Sequence, residues 1–203
     1  MKIAILIEGD TERALLPHLR RFLETRLSGR MPRLDPEPYD GRIPTGEHLQ
    51  REVERLLRSG KQPADAVIAL TDVYTGKTGE FQNAEDAKSK MREWVGRNPK
   101  FFPHAAQYEF EAWLLPFWST IQRLACHNKA APSGAPEAAN LTRPPSARIE
   151  EVFGAGACRN HYVKPRDANR ILRDNDLLVA AHACPQLRDF LNTILQLCGG
   201  ECV

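Results

Sequence analysis

Glu8, Asp72 and the pair Glu109 and Glu111 are the residues of this chain whose type and placement best suit chemistry. Glu8 follows the apolar run KIAILI, Asp72 closes ADAVIALT at 64–71, and Glu109 comes just after FFPHAAQ at 101–107. Each run has strand length, and the first two are near-continuously apolar, as strands buried on both faces are. In an open parallel sheet, ligands bind at the carboxyl ends of the strands. Carboxylates gathered there repel one another unless a cation lies between them, and hard oxygen ligands suit Mg²⁺ or Mn²⁺. Such ions act on phosphate esters by activating water and stabilising charge on the transferring group. A plainer reading stands beside this one. A carboxylate after a strand also serves as a helix N-cap, and Glu109 and Glu111 also complement the dipole of a helix's first turn. Their i, i+2 spacing shares a face only in extended backbone, since on a helix they diverge by about 200°. Periodicity alone leaves both readings open.

The elements that must position these residues alternate in type. After the strand at residues 2–7, Asp10 or Thr11 caps a helix running to about residue 27, with Leu15, Leu16, Leu19, Phe22 and Leu23 at helical spacing. Residues 36–42 suit a short edge strand. Leu49, Val53, Leu56 and Leu57 make an amphipathic helix over 46–59, ended by Gly60. A polar loop follows Asp72, then a helix near 84–96, the strand at 101–107, in which His104 is read as a packed core residue, and a largely apolar helix over 109–118. This order predicts an α/β fold with a mostly parallel sheet of about four strands flanked by helices. Residues 126–145, rich in Pro, Ala, Ser and Gly, form a loop or linker. Beyond it only helical patterns occur, at 146–153, 166–173, 177–183 and 186–197, a helical C-terminal extension packed on the domain of residues 1–125.

Composition excludes several classes. With 203 residues, 42% hydrophobic and 27% charged, the chain can bury a full core. A net charge of +2 announces no nucleic-acid binder, though a local basic patch can hide in a balanced total. No apolar run reaches the roughly 18–20 residues that span a bilayer, and the N-terminal segment turns acidic at once, unlike a signal peptide. Five widely spaced cysteines, at 126, 158, 184, 198 and 202, read as reduced thiols of a cytoplasmic protein and not as a zinc site. There is no Walker motif, GxGxxG or Gly-x-Ser-x-Gly.

IEGDTE at 7–12 resembles the opening motif of the TOPRIM domain, whose glutamate follows the first strand. LTDVYTG at 70–76, FFPHAAQYEFEAWLL at 101–115, RPPSARIEEVF at 143–153 and HYVKPRDANRIL at 161–172 occur in the order of the TOPRIM-like domain of unknown function 4276. The resemblance covers nearly the whole chain, and Glu109–Leu115 is its most specific part. It implies a TOPRIM-like, Rossmann-like fold akin to that of the overcoming-lysogenization-defect nucleases. It also implies a Mg²⁺- or Mn²⁺-dependent nuclease acting on DNA or RNA. Relatives are often encoded beside an ABC-type ATPase in bacterial anti-phage abortive-infection systems, so such an ATPase is the expected partner.

Carried over position by position, the resemblance makes Glu8 a general base or ligand and Asp72 a metal ligand, with Glu109 and Glu111 completing the site. Many TOPRIM domains place a second aspartate two residues after the first, where this chain has Tyr74, which puts two-metal catalysis in doubt. Asp10 and Glu12 substitute only if the first helical turn faces the site. Lys164 is the best basic accessory, a catalytic point charge for phosphate, with Lys77, Arg148, Arg166 and Arg170 as nucleic-acid contacts. Solvated helix faces are the plain alternative for each. A non-catalytic module that binds a partner ATPase or a nucleotide is the alternative function.

Overall fold

The computed structural model describes residues 1–60, 62–74, 80–138, 143–158 and 161–203. Four strands, β1 (Lys2–Ile7), β2 (Arg33–Pro38), β3 (Ala66–Asp72) and β4 (Phe101–Ala106), form one sheet in the order β2-β1-β3-β4. All three pairings are parallel, so the carboxyl ends of the strands share one edge. β2 starts three residues earlier than sequence reading placed it. Its two prolines, Pro36 and Pro38, are tolerated because it is an edge strand with a single neighbour.

The alternation along β1 explains its continuous apolar run. Ile3, Ile5 and Ile7 enter one core while Ala4 and Leu6 enter the other. On the second face lie α3 (Gly46–Arg58), through Leu49, Val53 and Leu56, and α4 (Ala84–Val95), through Ala87 and Met91. On the first face lies α2 (Leu16–Glu24), together with nearly all of the second half of the chain.

The first predicted helix is two. α1 (Asp10–Arg13) is a single turn, and α2 begins with Pro17 in its first positions. Proline has no N–H to continue the first helix, and its ring clashes with the preceding turn. The segment after β4 is also not a regular α-helix. A 3-10 helix spans Phe110–Phe117 and leads into α5 (Trp118–Ala125). Then come α6 (Pro145–Ala155), α7 (Lys164–Arg173), α8 (Leu177–Ala183) and α9 (Pro185–Leu197). Phe153, Ile171, Phe190 and Ile194 from these helices join Trp113, Ile5 and Leu70 in one core. His104 is buried as expected, with Nε2 3.0 Å from Thr193 Oγ1 and its ring edge-on to Phe190. Burial, with Lys88 and Arg92 nearby, lowers its pKa to about 3. Among the described residues, no helix is long and apolar enough to cross a membrane.

The expectation of five reduced thiols is corrected. Cys126 and Cys158 are disulfide-bonded, with Cα atoms 5.4 Å apart, while Cys184, Cys198 and Cys202 are free. The bond joins the end of α5 to the segment just after α6, and Ala157 N–H donates to Cys126 O at 3.2 Å. Nothing in a 32-residue separation signals that pairing. Gly156 makes the approach feasible, because a Cβ there would lie 1.8 Å from Ala125 O. Gly154, inside α6, has open space around its missing Cβ. The two glycines therefore respond oppositely to the same change. Gly156→Ala should cost about 1–3 kcal/mol or more through forced backbone displacement, whereas Gly154→Ala should stabilise by roughly 0.5–1 kcal/mol as a helix-interior replacement. Thermal unfolding of the two variants checks this.

Candidate active site

The carboxyl ends of β1, β3 and β4 bring the predicted acidic residues together. Glu8 directly follows β1, Asp72 is the last residue of β3, and Glu109 lies three residues past β4. Tyr108, with φ 68°, provides the sharp turn that folds the chain after β4 back toward Asp72. The link is direct: Phe110 N–H donates to Asp72 Oδ1 at 2.9 Å, and Tyr74 N–H donates to Tyr108 O at 2.7 Å. Glu8 bridges the other pair of strands. Its Oε1 accepts from the Thr71 hydroxyl and from Asp72 N–H, the latter at 3.3 Å.

Glu109 and Glu111 escape the divergence a helix would impose. Glu109 is extended, with φ −146° and ψ 154°, and Glu111 lies in the first turn of the 3-10 helix, so both side chains are buried. Their roles separate here. Both oxygens of Glu109 are engaged by the N-terminus of α6: Ser146 N–H donates to Oε2 at 2.9 Å and Ser146 Oγ to Oε1 at 3.0 Å. Glu109 thus anchors a C-terminal helix to the sheet edge. Ser146→Ala removes one donor to a buried charge and should destabilise by about 1.5–3 kcal/mol in denaturant titration. Arg148→Ala in the same helix should change stability by less than about 0.5 kcal/mol. Glu111 Oε1 instead faces Lys164 Nζ at 3.3 Å and accepts from Tyr162 OH at 3.4 Å.

Glu12 joins the group, and Asp10 does not. The single turn of α1 faces inward at Glu12, which is buried, while Asp10 is exposed. The Glu12 carboxylate folds back onto the N–H of Gly9, half of a capping box, and feels the Lys164 charge. The condition stated for Glu12, that the first helical turn face inward, is met, in keeping with its i, i+4 spacing from Glu8. Tyr162, which donates to Glu111, has no sequence signal beyond its place two residues before Lys164.

Burial and mutual repulsion shift these groups in one direction. Burial pushes Glu8 up to about 7, with Glu12 adding to it and the Thr71 bond opposing it. Burial raises Glu12 and Glu111 too, the Lys164 ammonium opposing both shifts. Asp72 is driven well above the carboxylate range, first by burial and then by the charges of Glu12, Glu8, Glu111 and Glu109. Burial works against the Lys164 ammonium, but Glu111, Glu109 and Asp72 outweigh it and hold its pKa above the ordinary value.

The donor chemistry of this group fits a hard divalent cation. The donors are carboxylate oxygens, and protons are retained where positive charge is short. As the side chains stand, no three Asp, Glu, His or Cys residues among the described ones are placed to hold an ion. Glu8 is committed to Thr71, and Glu109 to Ser146.

The remaining predicted contacts are dispersed. Lys77 lies outside the described residues. Arg148 Nε donates to Arg143 O, and its side chain lines a groove with Trp118 and the 131–138 segment. Arg166 and Arg170 both pair with Asp167, which is fully buried under them, and Arg173 pairs with Asp174. Arg166 and Arg170 are therefore committed to a neighbouring carboxylate. Lys164 is the predicted cation that reaches the acidic group.

The family model described as "Domain of unknown function (DUF4276)" matches residues 7–195. No curated protein matches the chain. Among solved structures, the C-terminal region of the Burkholderia pseudomallei OLD protein is similar over 97% of this chain and 98% of that one, at 15% identity and TM-score 0.53. The C-terminal region of the Xanthomonas campestris pv. campestris OLD protein matches over 96% and 97%, at 15% identity and TM-score 0.41. The first of these likenesses establishes a shared fold.

Proposed function

Because this chain belongs to the DUF4276 family, and its fold resembles the C-terminal region of an OLD protein, we propose that it is a metal-dependent nuclease of TOPRIM type. The supporting observation is the group formed by Glu8, Glu12, Asp72, Glu111 and Lys164 at the carboxyl edge of a parallel sheet. Glu8 and Asp72 are the residues that would hold Mg²⁺ or Mn²⁺, with Glu12 and Glu111 beside them. A bound ion of this kind supplies a Lewis acid for a phosphoryl oxygen and a water activated near neutral pH.

The chain's own groups supply the rest. Lys164, half exposed and held in its charged form, places an ammonium for a non-bridging phosphate oxygen. Glu111 and Tyr162 fix its position from the protein side. Burial raises Glu8 to about 7 without an ion, and a cation beside it would favour its ionised, ligating form. Glu109 holds α6 in place from the same edge. In this reading the protein acts in the cytoplasm on DNA or RNA, as the effector of an anti-phage system with an ABC-type ATPase partner.

The test is cleavage of single- and double-stranded DNA and RNA with Mn²⁺ or Mg²⁺, by the chain alone and with a neighbouring ATPase. Metal-dependent cleavage that is lost in Lys164→Ala supports the proposal, and no cleavage under any of these conditions overturns it. Tyr74, standing where a second aspartate would complete a two-metal site, is the observation that favours a non-catalytic binding module. That reading predicts metal-independent binding of nucleotide or ATPase with no cleavage.

A further inference from the structure

Tyr74 is the one aromatic side chain among the described residues that is exposed, at 41%, while the other aromatic side chains pack into the protein. Leaving a tyrosine ring in water forgoes a large apolar contribution to the core, so its position matters. It stands two residues past Asp72, and its backbone is pinned by the bond from its N–H to Tyr108 O at 2.7 Å, one residue before Glu109. Val163 is exposed at 44% and immediately precedes Lys164, whose ammonium faces Glu111. Four large apolar side chains are exposed among the described residues, and these two border the candidate site. An exposed ring two residues past Asp72 and an exposed aliphatic group next to Lys164 thus adjoin the carboxylates and the ammonium suited to a phosphodiester.

Resting on the nuclease reading above, we propose that Tyr74 is a stacking platform for an unpaired nucleobase, which makes single-stranded nucleic acid the preferred substrate. A base can lie on an exposed ring only if it has left its own helical stack, and stacking of this kind is tolerant of base identity. A nucleotide held by its base at Tyr74 presents its phosphodiester to the acidic group and Lys164. Position 74 contributes a π-face to substrate where a further carboxylate would have contributed a metal ligand. The expected consequence is discrimination between strand forms and not between sequences.

The experiment measures fluorescence anisotropy of a labelled 12-nucleotide single strand, in DNA and RNA versions, and of the matching duplexes. EDTA is present so that binding is read without cleavage. Wild-type protein should bind single strands more tightly than duplexes. Tyr74→Ala should weaken single-strand binding by about tenfold, within the range for loss of one stacked base, and leave duplex binding unchanged. Tyr74→Phe should stay within about twofold of wild type, since the ring and not the hydroxyl is responsible, and the melting temperatures of both variants confirm an intact fold. Wild-type protein that cleaves with Mn²⁺ while Tyr74→Ala binds single strands as wild type does, or loses both forms equally, overturns the stacking role alone. A chain that neither binds nor cleaves any form overturns the nuclease reading beneath it.

Discussion

Replacing Asp72 by asparagine should abolish metal-dependent cleavage and at the same time make the metal-free protein more stable above neutral pH. Loss of outer-shell partners alone commonly costs 10–100-fold at metal sites, so removal of a central carboxylate should cost at least about 100-fold. The stability gain follows from the electrostatics. Asp72 is held above its ordinary pKa by burial and by the charges of Glu12, Glu8, Glu111 and Glu109, so ionising it in the fold is unfavourable. Glu8 behaves alike, raised from 4.5 to about 7. A carboxyl whose folded pKa exceeds its unfolded one binds protons more tightly in the fold. Its contribution to stability is complete below pH 4.5 and is lost as pH rises through about 7. Metal-free wild type should therefore lose about 1.4 kcal/mol per pH unit across that window from Glu8 alone. Glu8→Gln should flatten the dependence, and Asp72→Asn should do so further into the alkaline range. Denaturant unfolding between pH 4 and 9, paired with cleavage assays, reads both effects. A variant that loses activity and stability together would mark Asp72 as structural.

The second large effect is expected at Trp113. Its ring is 1% exposed, edge-on to Phe110 with centroids 5.6 Å apart and stacked on Phe190 at 6.1 Å, and its indole N–H donates to Glu137 Oε1 at 3.0 Å. Glu137 also accepts from the Gln186 N–H at the start of α9, at 3.1 Å. One side chain thus joins the 3-10 helix that carries Glu111 to the short Pro136–Ala138 turn and, through Glu137, to the start of α9. Trp113→Ala removes the ring and one of the two donors to the half-buried Glu137 carboxylate. A loss of about 3–5 kcal/mol is expected, or roughly 6–20 °C in melting temperature for a chain of this size. Trp113→Phe, which retains most of the volume, should lose markedly less. Calorimetry on the two variants separates packing from the lost hydrogen bond.

The parts of this molecule legible in its sequence are those set by one-dimensional patterns. KIAILI and AVIALT announce strands buried on both faces, and the residues that end them fall on the same sheet edge because the strands are parallel. Glu8, Asp72 and Glu109 could be grouped for that reason. What escaped depends on details that patterns do not carry. Pro17 splits the first helix because it lacks an N–H, and the short first turn that results brings Glu12 inward. The 3-10 helix at Phe110–Phe117 comes from a stretch apolar on all sides, where periodicity gives no phase. The engagement of Glu109 by Ser146 joins residues 37 apart, and the pairing with Asp167 turns Arg166 and Arg170, two expected nucleic-acid contacts, into a local ion network. Side-chain partners of this kind are set by tertiary packing.

The most direct test is a crystal of the protein soaked in Mn²⁺, examined for anomalous scattering from the ion. A metal centre at this sheet edge requires one peak between Glu8 and Asp72, with the Glu8 carboxylate turned from Thr71 toward the ion and Glu12 or Glu111 within ligating distance. Crystals without a peak there, with Glu8 still on Thr71 at millimolar Mn²⁺ and pH 8, would contradict it.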